Sequence, residues 1–167
     1  MDLLYAKTIL YAYPDFEEII VQIDDVIEKR AVMSLYNYSP ALGQYEKIIK
    51  LMHEKDVISA IKIVCDKALA KFTDEELKYF RYKYFRTMSK REKENFDYSS
   101  RTYFRRQLKL TEDFASLLEG YRVNDKFFEE HCLTLNYFSQ VLIRTKELEA
   151  SLSKADKYKP IAKEEKE

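Results

Sequence analysis

Glycine and proline are almost missing from this chain. Its 167 residues include two glycines, Gly43 and Gly120, and three prolines, Pro14, Pro40 and Pro160. Sheets turn their corners on such residues, so an all-β fold has too few places to reverse direction here. Long helices with short connections are what this composition can build. The same scarcity excludes glycine-rich phosphate loops, and neither GxxxxGK[ST] nor GxGxxG occurs. Hydrophobic residues at 46% beside charged residues at 35% support a packed core rather than disorder. The sequence has no apolar run of about 18 residues, the length a membrane span requires, so no membrane association is expected. The opening "MDLLYAKTILYAYPDFEE" lacks the basic n-region of a signal peptide. Cys65 and Cys132 show no framework spacing, and free thiols fit a reducing cytoplasmic setting.

Apolar periodicity divides the chain into helices. Leu3, Leu4, Ile9 and Leu10 predict a short first helix that stops before Pro14. A second begins near Pro14 with Asp15, Glu17 and Glu18 at its positive end, and carries Phe16, Ile19, Ile20, Ile23, Val26 and Ile27. "NYSPALG" predicts a turn with Ser39 as N-cap. Tyr45, Ile48, Ile49 and Met52 form one stripe and Val57, Ile61, Val64 and Ala68 another, with room for a break at 53–56. Thr73 and Glu76 have capping-box spacing, and Leu77, Phe80, Tyr84 and Met88 follow on one face. Ser89 is expected to cap a short helix in "KREKENF", and Ser99 a long one that ends at Gly120 as a C′ residue. Asn124 is expected to cap "DKFFEEHC", and a last helix covers about 135–154. The charged end "DKYKPIAKEEKE" predicts disorder. The expected fold is all-α: an N-terminal helical lobe over 1–71, a second helical unit over 72–155, and a tail from 156 to 167.

Charge is balanced overall, 29 basic residues against 29 acidic, but not locally. Between Leu77 and Lys109 eleven bases face three acids, a local charge of +8 that a polyanion would sense. The stretch "DYSSRTYFRRQLKL" concentrates it. Wound at 3.6 residues per turn, the helix from Ser100 puts Phe104, Leu108, Thr111, Ala115 and Leu118 on one side, widened by Tyr103, Leu110, Phe114, Leu117 and Tyr121. Thr102, Arg105, Arg106 and Lys109 fall opposite, near the helix start. Arginine's fork matches the acceptor pair of guanine, and serine or threonine bonds phosphates or base edges.

"EELKYFRYKYF", a short helix and then "YSSRTYFRRQ" together resemble the last DNA-binding region of bacterial sigma factors (region 4) and the sigma-like late-gene regulators of phages. The similarity spans about 72–118. In that pattern Tyr84 and Phe85 match the aromatic end of a supporting helix, and Ser99 the turn serine before a recognition helix. Arg101, Thr102, Arg105 and Arg106 match its DNA-facing positions. The pattern's short helix carries an apolar pair where this chain has only Phe96, and its turn glycine is Asp97 here. The resemblance implies a helix-turn-helix-like trihelical unit with extra C-terminal helices, in a DNA-binding transcriptional regulator. Arg101, Thr102, Arg105 and Arg106 would meet the major groove, with Ser99 and Ser100 at its edge. Lys90, Arg91 and Lys109 would meet phosphates. Double-stranded DNA is the implied partner, joined by RNA polymerase or a second copy of the chain.

Two other readings compete. A helical protein-interaction module needs no DNA, and would tie Arg105 and Arg106 to acids such as Glu112 or Asp113. A single-strand or RNA binder would stack bases on Tyr79 and Tyr82 beside Arg86. Chemistry is not expected. His131 and Cys132 are adjacent and cannot point the same way on a helix, and no CxxC or HxxxH spacing marks a metal site. Asp24, Asp25 and Glu28 read as a solvated helix face. Neither a cofactor nor an enzymatic role is expected.

Overall fold

The structure is a computed structural model that describes residues 1–36, 41–96 and 101–157. These residues are all-α, with no strand among them. The helices are α1 (Leu3–Ala12), α2 (Phe16–Tyr36), α3 (Ala41–Leu69), α4 (Asp74–Phe80), α5 (Lys90–Glu94), α6 (Arg101–Gly120), α7 (Asp125–Phe127) and α8 (Asn136–Lys157). A 3₁₀ turn, Tyr13–Asp15, joins α1 to α2, with Pro14 in its first turn where a missing N–H costs nothing. π-helical turns follow α4 (Arg81–Phe85) and α7 (Phe128–Cys132). No helix among the described residues is long and apolar enough to cross a membrane.

Local signals place the helix starts. Thr73 accepts from the Glu76 amide at 3.4 Å while Glu76 accepts from the Thr73 amide at 3.0 Å, a reciprocal capping box. Asn124 accepts from the Phe127 amide at 2.9 Å. The expected caps Ser39 and Ser99 lie outside the described residues, as does the tail after Lys157. Four expectations are corrected. α3 has no break at 53–56; one helix of 29 residues runs through, with Lys55 clamped to Asp24 of α2 at 2.6 Å. Gly120 is not the C′ residue. Arg122 takes the left-handed conformation (φ 68), the Arg122 amide donates to Glu119, and the Val123 amide donates to Leu118 at 2.9 Å. That is a Schellman close, with Val123 and Leu118 both buried, so an arginine stands where glycine is usual. α8 reaches Lys157 rather than 154, two residues into the stretch expected to be a tail. Phe104 and Leu108 do not belong to the packed side of α6: they are 46% and 43% exposed, whereas the expected members Tyr103, Leu110, Thr111, Phe114, Ala115 and Leu118 are buried, with Gln107 among them.

One core spans residues 6–138, across the 71/72 boundary. α1 is its centre, packed against α6, α8 and the first π turn. Tyr5 stacks on Phe128 at 4.5 Å, and the Tyr137 hydroxyl donates to the Ala12 carbonyl at 3.2 Å. α2 and α3 form an antiparallel hairpin, and the C-terminal part of α3 (Val57, Ile58, Ile61, Cys65, Ala68 and Leu69 buried) also meets α6.

Polar groups tie these helices together. Glu149 of α8 bonds Lys7 of α1 and pairs with Lys83 at 3.4 Å. Lys83 donates to Gln107 Oε1 at 3.3 Å. Gln107 Nε2 donates to the Tyr84 hydroxyl at 2.8 Å; that hydroxyl lies 3.0 Å from Thr111 Oγ1, which donates to the Gln107 carbonyl. Burial acts to raise the pKa of Glu149, but the Lys7 hydrogen bond and the Lys83 charge outweigh it and hold the carboxyl below its ordinary value. Burial pushes the Lys83 ammonium down in spite of Glu149.

A carboxyl whose folded pKa lies below its unfolded value stabilises fully above the unfolded value and stops doing so as pH falls through the folded one. Glu149→Gln is therefore expected to cost about 2 kcal/mol at neutral pH, between an exposed and a buried pair. Urea unfolding at neutral pH and again below the carboxylate range checks this: the gap between wild type and variant should shrink in acid.

Candidate nucleic-acid interface

The basic stretch opens α6, and its cationic side faces solvent. Arg101, Thr102, Arg105, Arg106 and Lys109 are all exposed. The opposite side of the same turns is held down by Tyr103, Gln107 and Leu110. Period and burial thus agree in leaving these cations outside. Ser99 and Ser100 lie outside the described residues.

α5 precedes α6 in the chain and presents Lys90 and Arg91, also exposed. Its N-cap is Ser89. The Ser89 hydroxyl and amide donate to Glu92 at 2.6 and 2.8 Å, and these bonds hold the Glu92 carboxyl below its ordinary pKa. Residues 90–95 are all exposed, so α5 buries none of its own side chains. Its anchors flank it instead. Met88 before it is buried, and Phe96 after it meets Tyr79 at 5.1 Å, Tyr82 at 5.6 Å and Tyr103 at 5.7 Å. Tyr79 and Tyr103 stack at 5.4 Å, which joins α4 to α6 through the same cluster.

An open cleft of about 630 Å³ runs along the first turns of α6, lined by Glu76, Thr102, Arg105, Arg106, Lys109, Leu110 and Asp113. Arg106 lies over the Tyr79 ring at 5.5 Å, a contact worth about 0.5–1 kcal/mol at an exposed site. Glu76 is held below its ordinary pKa first by its bonds to Thr73, with Arg106 and Lys109 adding to the effect. The cleft is thus mixed in charge. Sequence reasoning named Asp113 beside these arginines and missed Glu76. Asp113 was legible as the residue four after Lys109; Glu76 was not, because α4 and α6 meet only in the fold.

Two of the eleven bases do not add to the field. Lys78 pairs with Glu75 at 2.6 Å, and Lys83 is spent on Glu149. The aromatic residues proposed for base stacking do not converge with their cation. Tyr79 and Tyr82 pack on Phe96 and Tyr103, while Arg86 lines a separate cavity with Tyr11, Tyr84, Phe85 and Arg144. No protein-family model matches the chain, and no curated protein or solved structure does either.

Because α5 hangs on its flanks, Met88→Ala and Phe96→Ala should each cost about 2 kcal/mol in urea unfolding, near the low end for large-to-small changes. Lys93→Ala, at an exposed position of the same helix, should stay within about 0.5 kcal/mol.

Proposed function

We propose that this chain is a DNA-binding regulator of transcription, working by occupancy of duplex DNA rather than by chemistry upon it. The observation that carries the reading is the solvent-facing basic opening of α6. Arg101, Thr102, Arg105 and Lys109 project from the first turns of a helix whose other side is anchored, and Lys90 and Arg91 are exposed on α5. Helices that read the major groove do so with their N-terminal residues, and cations nearby neutralise phosphates. The sigma-like resemblance of "EELKYFRYKYF" and "YSSRTYFRRQ" supports the same reading, and adds RNA polymerase as a partner.

A protein-interaction module is the second reading. It is favoured by Glu76 and Asp113, whose carboxylates stand in the cleft beside Arg106 and Lys109 and would repel a phosphate brought there.

Titration of genomic duplex fragments against salt separates the two. The wild type should bind at low salt and weaken steeply as salt rises. Arg105→Ala with Arg106→Ala should weaken binding about tenfold or more and flatten the logarithmic salt slope by about 0.9 per lost phosphate contact. Both sites are exposed helix positions where alanine is favourable, so the fold should be unaffected. Absence of binding at low salt, or affinity untouched by the double substitution, would overturn the DNA reading and leave the second.

A further inference from the structure

The distal half of the α2–α3 hairpin is an arm with an incomplete core. None of the described side chains from Asp24 to Ser34, nor from Gly43 to Asp56, is buried. Its inner contacts are only half-buried residues such as Ile27, Ile48 and Leu51. On the outer face of α3, Tyr45, Ile49 and Met52 are 56%, 65% and 51% exposed. The helix continues on that face with Asp56. The spacing 45, 49, 52, 56 alternates four and three, the seam of a coiled coil, where each apolar residue is a knob for a facing helix.

We propose that a second copy of this chain covers this seam, with the two α3 helices antiparallel. Self-pairing satisfies the whole pattern. A twofold axis between Lys50 and Leu51 sets Ile49 opposite the partner's Met52, and Tyr45 opposite the partner's Asp56. The Tyr45 hydroxyl then donates to a carboxylate that otherwise breaks the seam. A parallel pair would set two Asp56 carboxylates against each other, which disfavours it. The result is a four-helix arrangement in which each arm supplies the layer that the other lacks. It is independent of what α6 binds.

Sedimentation over a concentration series tests it. The wild type should shift from monomer to dimer. Ile49→Lys and Met52→Lys should each weaken the dimer by about tenfold or more while far-UV helicity is kept, since lysine suits an exposed helix position. Ile49→Ala with Met52→Ala is the milder pair, should either lysine unfold the arm, and should weaken the dimer in the same direction. Orientation is read by oxidative cross-linking. Ile49→Cys with Met52→Cys should give covalent dimers, and Tyr45→Cys alone should not, because antiparallel pairing holds its two copies about 16 Å apart along the helix. Buried Cys65 and Cys132 do not compete. A wild type that stays monomeric, a dimer indifferent to these substitutions, or ready cross-linking through Tyr45→Cys would overturn the proposal.

Discussion

The rotation of α6 about its own axis decides which residues this protein shows to solvent, and Gln107 sets that rotation. A glutamine side chain has donors and acceptors that must be met if it is buried. Here its oxygen takes the Lys83 ammonium and its nitrogen reaches Tyr84, with Thr111 one turn on completing the group. A buried amide left unmet costs about 1–3 kcal/mol, so turning α6 to bury Phe104 and Leu108 instead would forfeit this network. Exposing Phe104 and Leu108 is the lesser loss because the same turn would also bring Tyr103, Leu110 and Phe114 out of the core, and the cations at 101, 105, 106 and 109 are carried outward as a consequence.

The network also explains the π turn after α4. An extra residue per turn at Arg81–Phe85 brings Lys83 and Tyr84 to Gln107 while Phe85 still reaches Tyr13 at 5.3 Å. The turn ends at Arg86, which adopts the left-handed conformation (φ 54) without being glycine, a strain of about 1 kcal/mol or more. Packing around Tyr84 holds it there. The departures from ordinary helical geometry thus sit where α1, α6 and α8 must be satisfied together.

This divides what the sequence could disclose from what it could not. Thr73, Ser89 and Asn124 were legible as caps because a cap and its amide lie within three residues of each other. Helix existence and approximate ends were legible for the same reason. Most of the packed face of α6 was legible, but its edge was not, because a hydrophobic wheel ranks Phe104 and Leu108 above Gln107, and only residues 83 and 84, some 23 positions away, reverse that order. The Schellman close at Arg122 was hidden because Gly120 offered the more obvious signal. The exposure of Arg105 and Arg106 was legible from period alone, whereas Glu76 enters their cleft from another helix.

The continuity of α3 matters most for how the parts of the molecule act on one another. A break at 53–56 would have left the arm hinged. Instead the stripe at 45–52 and the buried stripe at 57–69 belong to one rod, pinned to α2 by Lys55 and Asp24 and pressed onto α6 at its far end. An α-helix of this length bends gently and does not fold without a proline, a π bulge or an inserted group, and residues 44–69 contain no proline. The arm and the part of α3 that packs on α6 therefore belong to one continuous helix. The apolar stripe of the arm is thus joined to the core beside α6 through helix rather than through a loop.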